Sequence, residues 1–210
     1  MGVWSEQVVP RATNLLLDTT EVRQLRGEVV SGLRGEVVEI GFGSGLNAPF
    51  YPQEVRKVLA VEPSAVARRL AGGKVGTARV PVEFVGSDAQ DLPLETSSVD
   101  DALSTFTLCT IPDPMRALRE LYRVLRPGGR LHVLEHGLSE HEGTAKWQRR
   151  LNPIQRRVAA GCHLDRPIEQ LVGQAGFVAH ELRHDQMEGP RLLRPFGCLY
   201  IGVATKPDDQ

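Results

Sequence analysis

Short apolar runs alternate with segments of helical periodicity along most of the chain. The apolar runs predict β-strands at residues 36–40, 57–62, 80–88, 98–108, 129–136, 177–185 and 198–206. Several of these runs are almost continuously apolar, which is typical of strands that are buried on both faces of a sheet. The pattern therefore predicts a mostly parallel sheet.

The segments between the strands have the spacing of helices. They predict helices at residues 6–26, 64–71, 114–125 and 168–175. Gly27 is the expected end of the first helix, and Leu118 and Leu121 place an apolar face on the third. Helices that alternate with strands cover both faces of a parallel sheet, so we expect a three-layer α/β sandwich in a single domain spanning residues 1–210.

Residues 138–166 interrupt the alternation, because they carry no strand pattern. Trp147, Leu151, Ile154 and Val158 recur at helical spacing. We interpret the segment as a helical cap that is inserted after the fifth strand and packs on the sheet through this apolar stripe. The Asn152-Pro153 step predicts a break of the cap into two helices.

Arginines lie beside the apolar stripe of the cap, at positions 149, 150, 156 and 157. Three interpretations of this basic face remain open. It is a solvated surface, a surface that recruits an anionic substrate or lipid, or part of a mobile lid that excludes water.

Charge and cysteine content argue against several functions, namely nucleic-acid binding, metal binding and redox chemistry. Lys and Arg total 25 against 26 Asp and Glu, which gives a net charge of -1 and no overall positive field for nucleic acid. No CxxC pair occurs among the three cysteines, so the sequence predicts neither a metal site nor a redox pair. Cys109 and Cys198 are expected to be small buried residues, and the odd cysteine count suits a reducing compartment.

The N-terminal residues lack the basic and apolar regions of a signal peptide, and no apolar run approaches the roughly 20 residues that span a bilayer. The sequence therefore predicts a cytoplasmic protein with no integral membrane segment. Residues 1–27 are expected to form a helical cover over the ligand cleft.

Residues 39–47, EIGFGSGLN, place three glycines at alternate positions directly after the first strand. Glycines let the backbone turn sharply and approach a ligand closely, and the loop after the first strand is where open α/β sheets bind ligands. A dinucleotide fingerprint would need glycine where Leu46 stands, which disfavours NAD. A tight turn without a ligand is the alternative.

Three carboxylates follow the first three strands. Glu39 suits a ligand that carries an ammonium group, Glu62 stands where an acid typically accepts ribose hydroxyls, and Asp88 can accept a proton from the amino group of adenine. The combination fits S-adenosyl-L-methionine (SAM) better than NAD. Taken singly, Glu62 could be a solvated charge and Asp88 could cap a turn.

Five motifs carry a resemblance to the class I SAM-dependent methyltransferases: EIGFGSG, VEPS, GSDAQDLP, SVDDALSTFTL and LRPGGRLHVLE, within residues 36–136. The resemblance implies a Rossmann-like fold, with a seven-stranded sheet whose last strand is antiparallel. It also implies SAM as the methyl donor and S-adenosyl-L-homocysteine as the product.

A closer resemblance spans residues 36–206. The stretches GLNAPFYP, TLCTIPDP, LEHG, WQRRLNP, GCHLDR and RPFGCLYIGVATK are similar to methyltransferase-like family seven, the alkyl thiol S-methyltransferases. The chain departs from that family at Phe42, where a cysteine is common, and in lacking the N-terminal hydrophobic segment of the animal members.

The resemblance assigns roles to individual residues. It implies that Glu39, Gly41, Gly43 and Gly45 surround the methionine end of SAM, that Glu62 binds the ribose, that Asp88 and Ala89 meet adenine, and that Thr107 and Leu108 line the site near the sulfonium.

His136 is the candidate catalytic residue. It ends the fifth strand just before the cap, and a thiol with a pKa near 8.5 needs only modest help to lose its proton. The alternative is a histidine bonded to a backbone carbonyl. His132 is expected in the core, His163 could face the pocket, and Cys162 could form a pocket wall without acting as a nucleophile.

The sequence thus predicts a SAM-dependent methyltransferase for a small molecule, with a thiol as the first choice of acceptor. Methylation of oxygen, nitrogen or carbon in a small apolar molecule or lipid headgroup is the alternative within enzymes. A protein that binds SAM without turnover and a dehydrogenase are the other classes. The sequence does not indicate an oligomeric state.

Overall fold

The computed structural model describes residues 17–159, 161–179, 182–187 and 189–208. Its strands are β1 (Gly35–Ile40), β2 (Val55–Val61), β3 (Val82–Gly86), β4 (Val99–Thr105), β5 (Leu125–His136), β6 (Arg183–Gln186) and β7 (Cys198–Thr205). Its α-helices are α1 (Thr20–Val30), α2 (Ala65–Thr77), α3 (Pro114–Val124), α4 (Glu142–Val158) and α5 (Ile168–Gln174). Short 3-10 helices cover Ala48–Phe50 and Arg191–Phe196.

The described strands form one sheet in the order β3-β2-β1-β4-β5-β7-β6. Neighbours among β1 to β5 are parallel, whereas β7 is antiparallel to both β5 and β6. The predicted mostly parallel, seven-stranded sheet with an antiparallel last strand is confirmed. Because the strand order reverses between β1 and β4, the carboxyl ends of these two strands border the crevice where such sheets bind ligands.

Helices cover both faces of the sheet, which confirms the three-layer arrangement. On one face, Val29 and Val30 of α1 share a buried cluster with Ala71 of α2. On the other face, Leu118 and Leu121 of α3 are fully buried. Burial of each such leucine contributes about 1.5–3 kcal/mol, so the apolar face of α3 determines where the helix packs.

Several element boundaries were predicted wrongly. The helix predicted at 64–71 extends to Thr77, and the fifth strand begins at Leu125 rather than at residue 129. The helix expected to stop at Gly27 continues to Val30, because burial of Val29 and Val30 outweighs the weak helix propensity of one glycine; the part before residue 17 lies outside the described residues. The sixth strand covers Arg183–Gln186 rather than residues 177–185. Phe177 packs in the core beside α5, and Val178 makes only an isolated bridge.

The predicted break at Asn152-Pro153 is also wrong, since α4 runs unbroken from Glu142 to Val158. Proline inside a helix costs about 3 kcal/mol through a lost hydrogen bond and a clash. Asn152 offsets this cost, because its side chain bonds the segment that follows the helix. Its Nδ2 donates to Asp165 Oδ1 at 2.7 Å, and its Oδ1 accepts from Leu164 N at 3.0 Å.

The apolar stripe of the cap does not pack on the sheet, contrary to the prediction. Trp147, Ile154 and Val158 are 56%, 62% and 53% exposed. The helix is instead fixed by fully buried Gln148, whose amide nitrogen donates to the carbonyls of Gly137 and Pro195 at 3.0 and 3.1 Å. Helical periodicity identified an amphipathic helix, but satisfied polar contacts decided which face turned inward.

Within the described ranges, no helix combines the length and the apolar character that crossing a bilayer requires.

Candidate active site

The glycine loop follows β1 and is hydrogen-bonded to the end of β2. Gly41, Gly43 and Gly45 all have positive φ angles, of 65°, 59° and 74°. The backbone N–H groups of Gly41 and Phe42 donate to the carbonyl of Val61 at 2.8 and 3.1 Å. The loop is therefore held in a conformation that residues other than glycine rarely adopt.

Two of these glycines differ in what surrounds them. A Cβ atom on Gly41 would lie 2.0 Å from Thr107 Oγ1, so packing against the loop after β4 requires glycine there. Among the described residues, a Cβ atom on Gly43 would meet nothing closer than the Gly41 carbonyl oxygen, 3.8 Å away. These residues leave open space at Gly43, and this space suits the close approach of a ligand.

Glu62 follows β2 and ties the glycine loop to the start of α2. Its carboxylate accepts from the backbone N–H groups of Gly43 and Ser64, each at 2.7 Å. The side chain is buried, and burial is the main reason that its pKa is raised. A carboxylate in this position lies directly beside the open space at Gly43.

Glu39 lies behind the loop in a buried hydrogen-bond network. It accepts from Asn47 Nδ2 at 2.9 Å and from the hydroxyl of Tyr51. Burial raises the pKa of Glu39 to about 7, although the two hydrogen bonds and the charge of Arg26 oppose the rise. The structure thus places this predicted residue under the loop, where it shapes the loop through Asn47.

Arg26 on α1 was not found by sequence reasoning. It is 4% exposed, and its Nη1 donates to Asn47 Oδ1 at 2.7 Å and to Thr105 Oγ1 at 3.1 Å. Its Nε has no hydrogen-bond partner among the described residues. A buried cation with a spare donor fits the carboxylate end of an amino-acid ligand, but an arginine in a helix, 15 residues before Gly41, gave no sequence signal.

Asp88 and Ala89 lie beyond the end of β3, as predicted. Asp88 is exposed, and its Oδ1 accepts from the backbone and side-chain nitrogens of Gln90 at 2.9 and 3.0 Å. These two bonds lower the pKa of Asp88. Ala89 is buried and belongs to the same apolar core cluster as Leu108.

Glu135 holds the loop after β4 and was missed by sequence reasoning. It is fully buried and accepts from the backbone N–H groups of Thr107, Leu108 and Cys109 at 2.8, 2.9 and 3.2 Å. The hydroxyl of Ser104 donates a fourth bond at 2.7 Å. Burial raises the pKa of Glu135, and the four donors oppose that rise. The predicted sulfonium contacts are therefore fixed by an acid on β5.

His136 follows Glu135 and lies beside two cysteines. It is half-buried, with its ring packed edge-on against Phe106 at 5.0 Å between centroids. Its Nδ1 is 3.9 Å from Cys162 Sγ, which is 3.7 Å from Cys109 Sγ. The Cys109 thiol and His136 lower the pKa of Cys162, whereas Cys109 keeps its proton because its own pKa is raised. The sequence analysis treated these three residues separately, because their spacing along the chain does not indicate that their side chains are in contact.

Two further histidines were considered from the sequence, His132 and His163, and neither belongs to this cluster. His132 is 1% exposed with Nδ1 2.8 Å from the Val29 carbonyl oxygen, in the core as expected. The side chain of His163 lies toward the cap, with Nδ1 3.5 Å from Asn152 Nδ2 and 3.8 Å from Asp165 Oδ1.

Taken together, the crevice between β1 and β4 has the parts that SAM requires. The open space at Gly43, the spare buried donor of Arg26 and the buried acceptor Glu62 match a ligand with a charged amino-acid end and a ribose. These residues fit the cofactor that the sequence predicted.

Known proteins agree with this fit. A family described as a methyltransferase domain matches residues 38–133. Thiol S-methyltransferase TMT1B of Rattus norvegicus is 32% identical over 84% of this chain and 74% of its own length. Thiol S-methyltransferase TMT1A of Homo sapiens is 28% identical over 88% of this chain and 74% of its own length.

The fold is also shared with solved structures. A SAM-dependent methyltransferase of Methanosarcina mazei superposes with a TM-score of 0.61 at 22% identity, covering 83% of this chain and 93% of that one. The sheet order, the glycine loop and these similarities lead to one conclusion: the chain belongs to the class I SAM-dependent methyltransferases, in the family of the thiol S-methyltransferases.

Proposed function

We propose that this methyltransferase transfers the methyl group of SAM to the sulfur of a small thiol. The observation that carries the proposal is the 32% identity to a thiol S-methyltransferase over 84% of the chain, which includes the cap as well as the cofactor crevice. The similarity therefore extends beyond residues 38–133, which match the methyltransferase domain, and is not confined to the cofactor crevice.

We also propose how the chain holds SAM. Glu39 and Arg26 set the charge at the methionine end, and the loop of Gly41, Gly43 and Gly45 encloses it. Glu62 accepts the ribose hydroxyls, and Asp88 and Ala89 contact adenine. Thr107 and Leu108 border the sulfonium. The support is their position. Apart from Arg26 on α1, these residues lie at or just beyond the carboxyl ends of β1 to β4, which are parallel and therefore meet at one end of the sheet.

Bound SAM supplies a methyl group that is already activated by the positive sulfonium. The protein therefore acts mainly by positioning, which can contribute about 7–11 kcal/mol. Glu135 fixes the loop of Thr107 and Leu108 by accepting hydrogen bonds from their N–H groups, and the Phe106 ring packs against the ring of His136. His136, at the acceptor end of this loop, assists the departure of the thiol proton.

The remaining assignments concern the whole chain. We propose a single domain over residues 1–210, with residues 1–27 as a cover and 138–166 as a cap beside the acceptor. The substrate is a small molecule rather than a nucleic acid, which agrees with a net charge of -1. A cytoplasmic location is proposed from the absence of a signal pattern in the sequence.

The experiment is incubation of the purified chain with SAM and a panel of small thiols, each paired with its hydroxyl and amine analogue. Mass spectrometry should find the methyl thioether and one equivalent of S-adenosyl-L-homocysteine. Methylated oxygen or nitrogen instead of sulfur would replace the thiol assignment. SAM binding by calorimetry with no product from any member of the panel would favour a protein that binds SAM without turnover.

A further inference from the structure

The sequence predicted no metal site, because its cysteines lack a CxxC pair. A CxxC pair is not required, however, because the fold brings together three side chains that can bind a metal from separate segments of the chain. One atom each of Cys109, His136 and Cys162 lie within 4.8 Å of one another. No mechanism step proposed above uses the two cysteines.

The distances within this cluster are those of a tetrahedral zinc site. With zinc–sulfur bonds of about 2.3 Å, two thiolate ligands lie about 3.8 Å apart, and a sulfur and a nitrogen ligand lie about 3.5 Å apart. The observed Cys109 Sγ–Cys162 Sγ distance is 3.7 Å, and the Cys162 Sγ–His136 Nδ1 distance is 3.9 Å. The sulfurs are thus already at zinc-site spacing, whereas the imidazole nitrogen must move closer to them, since the three ligand atoms lie within 4.8 Å of one another.

Hydrogen bonds fix both cysteines from the backbone. Cys109 donates its N–H to Glu135 and accepts at its carbonyl from His163 N at 2.8 Å. Cys162 donates its N–H to the Ala159 carbonyl at 3.0 Å. Such outer contacts hold metal ligands in place before the ion arrives. A disulfide would require the two sulfurs to approach to about 2.0 Å against these anchors.

Burial and charge favour a dication here. Cys109 and Cys162 are 1% and 7% exposed, so two thiolates would be costly without a compensating charge. Two thiolates neutralise one divalent cation. Arg166, 8% exposed and donating to the Leu108 carbonyl, adds positive charge beside the cluster for one more anionic ligand.

We propose that Cys109, His136 and Cys162 bind one zinc(II) ion whose fourth position takes the acceptor thiolate. A site with three protein ligands keeps an open position for a substrate. His136 is the only half-exposed member of the three, so the open position lies on its side, next to Phe106. The inference rests on the proposed thiol specificity, and it gives His136 the role of a ligand rather than a base.

The site lies where the reaction needs it, because Cys109 directly follows Leu108 in the loop predicted to border the sulfonium. The thiol loses its proton to solvent as its sulfur binds zinc. An electron pair of that sulfur forms the new bond to the methyl carbon. The bond from methyl to the sulfonium breaks, and its pair remains on the sulfur of S-adenosyl-L-homocysteine. The neutral thioether is a weaker zinc ligand than the thiolate and leaves.

The first test measures metal binding without catalysis. The full chain is purified from zinc-supplemented cells under reducing conditions without chelators, and zinc is quantified by plasma mass spectrometry. We expect about one zinc per chain, and its loss in Cys109→Ser and Cys162→Ser. Cys198→Ser is the matched control, since this buried cysteine bonds Gln186 outside the cluster. Circular dichroism identifies any variant that fails to fold.

The second test uses cobalt(II), whose bonds to thiolates absorb in the near ultraviolet. The reduced, metal-free chain should develop this absorption with one cobalt per chain, and His136→Ala should weaken it. Adding 2-mercaptoethanol should change the spectrum if the fourth position is open to a thiol. Absence of the thiolate absorption, or a spectrum that 2-mercaptoethanol leaves unchanged, would overturn the inference.

Failure of the inference and failure of the proposed function give different results. A metal-free chain that still methylates thiols at the full rate refutes the zinc site and leaves the thiol methyltransferase intact. A chain that binds zinc but methylates no thiol keeps the metal site and refutes both the thiol assignment and the role of the fourth position. Loss of thiol methylation on chelation, with SAM affinity unchanged, supports both.

Discussion

The donor side and the acceptor side of the active site are built in opposite ways. The donor side is local: Gly41 to Gly45 and Glu62 stand next to strand ends and are joined by backbone hydrogen bonds. The acceptor side is assembled over long distances, since Cys109 and Cys162 are 53 residues apart and His136 lies between them. Cofactor binding can therefore be inferred from a short motif, whereas the acceptor chemistry depends on topology.

Glu135 is the residue that connects the two sides. Its carboxylate accepts from Thr107 and Leu108, which border the donor site, and from Cys109, which belongs to the acceptor cluster. If the two sides are separate structures, replacing this acid should damage only one of them. If the loop is one rigid unit, both should fail together.

We expect Glu135→Ala to have the largest effect, destabilising the fold by about 4 kcal/mol. The substitution leaves three buried N–H groups and the Ser104 hydroxyl without their acceptor. Chemical denaturation measures the loss, and calorimetry with SAM measures the damage to the donor side. Glu135→Gln keeps one acceptor oxygen and should lose about half as much; a loss below about 1 kcal/mol in Glu135→Ala would contradict the central role of the acid.

A comparison of Gly41→Ala with Gly43→Ala sharpens the account of the donor side. Both residues have positive φ, so both variants carry backbone strain of about 1–2 kcal/mol. Only Gly41→Ala forces Thr107 to move, and its total loss of stability should reach about 3 kcal/mol by chemical denaturation. Gly43→Ala should fold with little further loss, yet bind SAM more than tenfold more weakly. Equal effects in the two variants would show that the space at Gly43 does not receive the ligand.

The strands and the donor side were predictable from sequence because their signals are local. A buried parallel strand is an apolar run of β-branched residues, and glycines followed by an acid at the next strand end are readable without knowing the partners. The mostly parallel sheet and the positions of Glu39, Glu62 and Asp88 near the strand ends followed from these signals. The same reasoning could not find Arg26, because a lone arginine in a helix resembles any surface arginine until the helix is packed.

The cap shows where a periodic pattern stops being informative. Spacing located α4 but suggested that Trp147 and Ile154 face the sheet. They are exposed, and the helix buries Gln148 and Asn152 instead. A buried amide is stable only when its partners are in reach, and those partners come from residues 137, 164, 165 and 195. Such a set cannot be recognised before the tertiary structure is known.

Glu39, the acid under the glycine loop, should make the free energy of unfolding depend on pH through the donor side, and the acceptor side should not share this dependence. The folded pKa of Glu39, about 7, exceeds its ordinary value of 4.5, so the folded chain binds this proton more tightly than the unfolded chain does. The stabilisation is complete below pH 4.5 and is lost as the pH rises through 7. We expect the stability of the chain relative to Glu39→Gln to fall by about 3 kcal/mol across this range.

Denaturation curves at several pH values measure this difference. Glu36→Gln is the matched control, since it removes a half-buried acid from the same strand outside the network. The control should follow the parent chain at every pH. Parallel Glu39→Gln and parent curves would mean that folding does not raise the pKa of Glu39, which would contradict the prediction.

Glu62→Ala should have the smallest effect on folding and a selective effect on the cofactor. We expect the Kd for SAM to rise more than tenfold, because charge-assisted hydrogen bonds to the ribose are lost. Glu83→Ala, which removes an exposed acid from β3, should leave the Kd unchanged.

Because Glu62 also holds Gly43, a loosened loop could weaken binding by itself. Comparing the affinities for S-adenosyl-L-homocysteine and for its 2′-deoxyribose analogue separates the two causes. The parent chain should prefer the ligand with the intact ribose. If Glu62→Ala binds both ligands with equal affinity, the weaker binding is due to the lost contact with the ribose hydroxyl. If the variant keeps the full preference, the weaker binding is due to the loosened loop, and another residue accepts the ribose hydroxyls.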